Sequence, residues 1–379
     1  KELCSNLDLF TAPDYQKRIT KITQDDLEDG PELTNCDCMI DGLETELSLP
    51  FSQKLVAPYR MDLALTYRCN NRCTHCYNAP NRNKAELNTT EWKNILDNLW
   101  DIGIPHIIFT GGEPTLRPDL PELVAYAEKK GQITGINTNG RMLKDDKLVQ
   151  SLLDAGLDHV QITVESHDPD IHNQMVNAPA WEETIQGLKN VVNSRLYVMT
   201  NTTLLQNNYK QLVELLVFLN EIGVQKVGLN SLIYAGCGLN VSSGLSNEDL
   251  IPLLETAKTL TSKYSQQLTW YTPTQYCYFD PIMLDVGVKG CTAALFNMCI
   301  EPDGEVLPCQ SYYQSLGNIQ LNSWQSIWEH ELALQIRERK YIPEACSDCG
   351  ILPVCGGGCP LALKSGHAAP PKPIMQFTV

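Results

Sequence analysis

Between residues 60 and 230 the chain repeats one pattern, a short apolar run followed by a longer stretch with apolar residues at helical spacing. Nothing else in the sequence limits the fold as tightly. Met61–Tyr67, His106–Thr110, Ile133–Asn137, His159–Val164, Leu196–Thr203 and Lys226–Asn230 read as six strands, because runs this short, bounded by turn residues, suit buried strands. Helices are predicted after them. The first starts at Asn88-Thr-Thr-Glu91, an Asn or Thr cap with an acid in the first turn, and continues through Trp92, Ile95, Leu96 and Leu99. The others cover Leu120–Lys129, Leu148–Ala155, Trp181–Val192 and Asn208–Ile222. A helical crossover lays each strand parallel to the one before it. The expected fold is therefore α/β, a partial (β/α)6 TIM-like barrel, whose site sits on the loops at the C-terminal ends of the strands.

The texture changes on either side of this region. Residues 1–58 are polar, acidic and broken by Pro13, Gly30, Pro31 and Pro50, and are expected to form an N-terminal extension. Residues 59–272 hold the barrel. Residues 273–379 are rich in loops, glycine and cysteine, with one helix-like segment at Ser323–Arg337. A small domain held together by metal more than by a core is predicted there. A net charge of −16 leaves no basic stripe for nucleic acid. No apolar run is long enough to span a membrane, and Lys1–Tyr15 lack the apolar core of a secretory signal, so a cytoplasmic location is expected.

Of fifteen cysteines, ten fall into three groups with ligand-like spacing. These are Cys69-x3-Cys73-x2-Cys76, Cys291-x7-Cys299-x9-Cys309, and Cys346-x2-Cys349-x5-Cys355-x3-Cys359. A chain of this size does not need a disulfide scaffold, so the grouping points to metal or iron–sulfur ligation. Three thiolates on one loop can hold three irons of a [4Fe–4S] cube and leave the fourth free of protein. Structural zinc wants four ligands, and His75, beside Cys76, would crowd a tetrahedron. For the two later groups a zinc ribbon stays open beside the cluster reading. Five cysteines remain: Cys4, Cys36, Cys38, Cys237 and Cys277. Single cysteines are most often small buried hydrophobes, but Cys237, in Gly236-Cys-Gly238 after the sixth strand, is a candidate catalytic residue, as hydrogen-atom donor or substrate contact.

The C-x3-C-x2-C after an apolar strand, with Gly111-Gly112-Glu113-Pro114 at the end of the next, resembles the signature of the radical S-adenosylmethionine (SAM) superfamily, over about residues 60–365. The resemblance implies that Cys69, Cys73 and Cys76 hold a [4Fe–4S] cluster whose free iron binds the amino and carboxylate groups of SAM. It also implies that Gly111, Gly112 and Glu113 receive the amino group and that His75 lies beside the adenine. Ser166, Asn139 and Asn208 are its further candidates for the same pocket. The cysteine-rich end resembles the SPASM extension, C-x9–15-G-x4-C followed by C-x2-C-x5-C-x3-C, with Cys291, Gly304 and Cys309 fitting the first half. Two auxiliary clusters, expected to be [4Fe–4S], are implied. Cys291, Cys299, Cys309 and Cys359 would ligate the first, and Cys346, Cys349 and Cys355 the second. The family pattern usually ends on a further cysteine, and none follows Cys359. An open iron or non-cysteine ligand, a cysteine from elsewhere (Cys4, Cys36, Cys38, Cys237 or Cys277), or a trimmed chain would each account for that.

The activity so implied is reductive cleavage of SAM to a 5′-deoxyadenosyl radical that abstracts a hydrogen atom from the substrate. Oxidative crosslinking of a ribosomally synthesised peptide is the leading expectation. Oxidation or decarboxylation of a small metabolite or tetrapyrrole is the alternative, followed by a formylglycine-forming maturase and then by a non-enzymatic adaptor. An electron donor such as flavodoxin or ferredoxin is the expected partner besides the peptide.

Overall fold

The computed structural model describes residues 55–79 and 82–371. Most of the predicted extension, including Cys4, Cys36 and Cys38, lies outside the described residues. The described residues from Val56 onward form one compact unit.

The chain runs through β1 (Arg60–Thr66), α1 (Thr89–Ile102), β2 (His106–Gly111), α2 (Leu120–Lys130), β3 (Ile133–Thr138), α3 (Asp146–Asp154) and β4 (His159–Thr163). Then come α4 (Pro169–Val176), α5 (Trp181–Val192), β5 (Tyr197–Thr203), α6 (Leu212–Ile222), β6 (Lys226–Asn230), α7 (Asn247–Lys263) and β7 (Gln267–Trp270). The cysteine-rich end adds β8 (Asn297–Ile300), β9 (Val306–Leu307), and the short helices α8 (Trp324–Trp328), α9 (Glu331–Arg337), α10 (Leu352–Cys355) and α11 (Pro360–Lys364). The sheet order is β7-β6-β5-β4-β3-β2-β1-β8-β9. β1 to β8 are all parallel to their neighbours, and β9 is antiparallel to β8. With β7 at one edge and β9 at the other, the sheet is open, as a partial barrel must be.

Local chemistry accounts for the helix ends. Asn88 Oδ1 accepts from Glu91 N at 3.0 Å while Glu91 Oε2 accepts from Asn88 N at 2.7 Å, a reciprocal cap at the start of α1. Trp92, Ile95, Leu96 and Leu99 of that helix are buried against the sheet, and Gly103, at φ 94°, ends it. All of β1 beyond Arg60 is buried, as expected for a parallel strand covered on both faces.

All six predicted strands form. β7 extends them by one crossover, and its four-residue run is too short and too polar to stand out in the sequence. β8 comes from the cysteine-rich stretch yet joins the barrel sheet, pairing Asp62 with Cys299 and Leu63 with Ile300. Helix α4 was not predicted, although Asp168-Pro169 is a start signal: Asp168 Oδ1 accepts from Asp170 N and Ile171 N at 2.9 and 3.1 Å. The single helix expected over Ser323–Arg337 is two. His330 breaks it, because its Nδ1 accepts from Leu332 N at 3.2 Å and caps α9.

Candidate active site

The loop leaving β1 carries Cys69, Cys73 and Cys76, and hydrogen bonds from four other loops hold it. Arg72 N and Thr74 N donate to Val176 O and Met175 O, each at 3.0 Å, so the loop lies on the end of α4. Cys76 O accepts from Cys237 N at 2.9 Å, tying it to the turn after β6. Cys69 Sγ accepts from Asn71 N at 3.4 Å. Burial raises all three thiols, Cys76 to about 11; Cys73 and Cys76 also feel neighbouring thiols, while Cys69 feels Glu113, which raises it, and Arg141, which lowers it. Three thiols gathered on one short loop are a donor set that fits an iron–sulfur cluster. Among the described residues, no three His, Cys, Asp or Glu side chains close around a single metal ion.

Gly111 and Gly112 lock the end of β2 against this loop. A Cβ at Gly111 would lie 2.2 Å from Thr66 O, and one at Gly112 2.4 Å from Arg68 O. Only glycine allows that approach, and Gly111 also has φ 132°. Gly112 N and Glu113 N then donate to Thr66 O and Arg68 O at 2.6 and 2.9 Å. Glu113 is 1% exposed. Its Oε1 accepts from Thr115 N at 3.1 Å and Thr138 Oγ1 at 2.6 Å, and its Oε2 from Asn139 N at 2.8 Å. Burial raises its pKa and these bonds oppose the rise. Asn139 continues the chain of contacts, since its Nδ2 donates to Asn70 Oδ1 at 2.6 Å and lies 3.9 Å from Cys69 Sγ.

His75 points the other way. Its Nε2 meets Glu165 Oε1 at 2.9 Å, with Glu165 fully buried. A carboxylate there favours the Nε2–H tautomer. Nδ1 is buried and has no partner among the described residues. An orphaned acceptor beside a set of open thiols fits a polar ligand rather than a closed core. Glu165 is itself held by Thr203 N, which donates to Oε2 at 2.9 Å, and its own N–H donates to His172 Nδ1 at 3.2 Å. Burial pulls His172 down to about 4, so that imidazole is neutral and can accept.

The structure thus gathers Cys69, Cys73, Cys76, His75, Gly111, Gly112, Glu113, Asn139 and Cys237 at the C-terminal ends of β1, β2, β3 and β6. Asn208 reaches this group through Glu165, whereas the Ser166 side chain turns to Gln211. Asn208 Nδ2 donates to Glu165 O at 2.8 Å, and Ser166 Oγ donates to Gln211 Oε1 at 2.8 Å. Cys237 Sγ lies 3.5 Å from Asn78 O. Sequence reasoning missed Glu165, His172 and Arg141. Arg141 donates to Asn70 O and, at 3.1 Å, to Asn71 Oδ1, bracing the cysteine loop. No local signal marks these three, because each acts across the strand ends.

At the other end, Cys291, Cys309 and Cys359 lie half-buried near one another. Burial and then Cys359 push Cys291 up, and burial raises Cys309 to about 12, with Cys359 adding to it. Cys299, on β8, is raised by burial, then by Asp62 and Cys309. Cys346 feels Cys349 and Cys355. Between the first loop and this region stand Tyr67, Tyr77 and Tyr313. Tyr67 Oη donates to Glu301 Oε1 at 2.7 Å, and the Arg82 guanidinium lies 3.5 Å from the centre of the Tyr313 ring.

Residues 63–219 match the radical SAM superfamily, and residues 291–350 match SPASM, an iron–sulfur cluster-binding domain. The PqqA peptide cyclase of Xanthomonas axonopodis pv. citri is 28% identical over 345 residues, covering 84% of this chain and 88% of that protein. The Fe-coproporphyrin III synthase of Methanosarcina barkeri is 29% identical over 328 residues, covering 77% of this chain and 81% of that protein. Among solved structures, Streptococcus suis SuiB bound to its precursor peptide SuiA superposes with a TM-score of 0.71 at 19% identity, over 80% of this chain and 72% of that one.

Proposed function

This chain belongs to the radical SAM superfamily and carries a SPASM iron–sulfur domain, and from that premise we propose that it oxidatively crosslinks a ribosomally synthesised peptide. The observation that carries the reading is the union of the cysteine loop with the Gly111–Glu113 turn, beside a buried histidine acceptor that nothing among the described residues satisfies. Likeness to a peptide cyclase over most of both chains supports a peptide as substrate.

A SAM-binding [4Fe–4S] cluster and auxiliary iron–sulfur clusters are the cofactors. Cys69, Cys73 and Cys76 would hold the first cluster. When bound, cluster and SAM supply one-electron reductive cleavage and hydrogen-atom abstraction. The protein's residues do the rest. Glu113 offers a buried carboxylate to an amino group. Glu165 holds His75 so that Nδ1 faces a ligand as an acceptor. Asn139 and Arg141 keep the cysteine loop from shifting. The cysteines from Cys291 to Cys359 would hold the auxiliary clusters, which would supply electron transfer, and a flavodoxin or ferredoxin is the proposed electron donor. No helix among the described residues is long and apolar enough to cross a membrane.

The test is anaerobic reconstitution with dithionite, SAM and a candidate precursor peptide. Formation of 5′-deoxyadenosine together with a peptide lighter by two hydrogens is the expected result. Absence of 5′-deoxyadenosine in a fully iron-loaded sample would sink the proposal. A second reading, tetrapyrrole oxidation, is favoured by the Methanosarcina relative, and an iron-coproporphyrin arm of the same assay separates the two.

A further inference from the structure

The second group of C-terminal thiols has a neighbour that its spacing does not reveal. Cys346 and Cys349 share a tight turn, with Cys349 N donating to Cys346 O at 3.1 Å, and Cys355 closes α10. The segment that follows β7 runs across them. Tyr276 N donates to Cys355 Sγ at 3.3 Å, and that thiol lies 3.6 Å from Thr274 O. The segment is pinned in this position. Tyr276 is 7% exposed, its hydroxyl accepts from Lys289 N at 2.8 Å, and Thr274 N donates to Lys289 O at 2.9 Å. A Cβ on Gly290 would come within 3.1 Å of Val354 O, so the strap at 289–290 lies directly against α10. Cys277 is the next residue along the pinned segment, half-buried and free. Cys277 is within electrostatic reach of Cys346, as are Cys349 and Cys355.

From this juxtaposition we propose that Cys277 is the fourth protein ligand of the second auxiliary cluster, completing the set Cys346, Cys349 and Cys355. The proposal rests on reading the C-terminal end as a two-cluster domain. It divides the late thiols into two sets of four, since Cys309 acts on both Cys291 and Cys299, and Cys359 acts on Cys291 and Cys309. Four thiolates close a cube, whereas three leave an open iron. A closed second cluster carries electrons and does not grip substrate, so the open iron is reserved for the Cys69–Cys76 loop. The N–H of Tyr276 aimed at Cys355 belongs to the same design, because hydrogen bonds to ligand sulfurs tune a cluster's potential.

The test starts from the full chain carrying Cys69→Ala, Cys73→Ala and Cys76→Ala, which removes the SAM cluster. Reconstituted anaerobically, this parent should bind about eight irons, four in each of two cubes. A count of about four or fewer in the parent refutes the two-cluster reading, and the proposal with it, before Cys277 is touched. Adding Cys277→Ala should lower the count by about one to four irons. Where the cube survives incomplete, the oxidised protein should show the paramagnetic signal of a [3Fe–4S] cluster, absent from the parent. Unchanged iron content and unchanged spectra overturn the assignment of Cys277 alone. A measurement on the unsubstituted protein guards against a variant that fails to fold. In alkylation followed by peptide mass spectrometry, Cys277 should be protected together with Cys346, Cys349 and Cys355 in the iron-loaded form and reactive in the iron-free form. Equal alkylation of Cys277 in both forms also overturns it.

Discussion

The cysteine loop after β1 and the stretch from Cys346 to Cys359 both gather thiols on a short length of chain, but different forces hold them. The first is fixed by the barrel. Its backbone bonds to α4 and to the turn after β6, while Gly112 and Glu113 bond back to Thr66 and Arg68 at its base. The second is carried by the one-turn helices α10 and α11, and Glu344, Ala345, Ser347, Asp348, Gly350, Ile351, Pro353 and Val354 are exposed. A loop preorganised by strand ends can wait for its cofactor in working shape. A segment with so little core must gain its order from the metal.

Several experiments would break or sharpen this contrast. The largest expected effect is on chemistry at the barrel end. Cys76→Ala should abolish 5′-deoxyadenosine formation while leaving the thermal unfolding midpoint near that of the parent, and a large fall in the midpoint would contradict the claim that the barrel alone fixes the loop. Next, iron-free protein should be cut by protease between residues 341 and 366 while residues 60–270 stay intact. Equal protection of both regions would mean that the second thiol set needs no metal to order. Gly112→Ala should destabilise the protein by about 1–3 kcal/mol in urea titration, because its Cβ has to displace backbone rather than a side chain. Glu165→Gln weakens the restraint on His75 and should raise the dissociation constant for SAM about tenfold, about 1.4 kcal/mol, the weight of one hydrogen bond to a charged group. The smallest effect is on pH dependence. Burial holds His106 at about 3 and His159 at about 4, with their Nε2 atoms 2.8 Å apart. Both lie below the unfolded value of about 6.5, so the unfolded chain binds more protons between those limits. Stability is then present above pH about 6.5 and lost as the pH falls below it. His159→Gln should flatten that slope between pH 7 and 5 in thermal scans.

The two regions also differ in how far they could be read from the sequence. The first was almost fully legible. Three cysteines after a strand and a Gly-Gly-Glu-Pro turn after the next are local patterns, and parallel crossovers oblige consecutive strand ends to meet. What escaped was the support: Glu165 behind His75, Arg141 under Asn70 and Asn71, and α4 beneath the loop. These contacts join residues far apart in sequence, and no periodicity encodes them. The second region was legible as a list of ligands but not as an arrangement. The joining of Asn297–Ile300 to β1 was hidden because a four-residue strand with a cysteine at its centre looks like part of a metal loop.

The sequence by itself determined the alternation of strands and helices, and with it the parallel open barrel, since apolar period and crossover handedness are local and general constraints. It also determined which loop bears three thiolates and which turn must be glycine. Only the tertiary structure decided that Cys237 packs on that loop, that β8 joins the C-terminal region to the barrel sheet, and that the segment Thr274–Tyr276, just before Cys277, crosses Cys355. Such meetings depend on where folded segments end in space, and spacing along the chain carries no record of that.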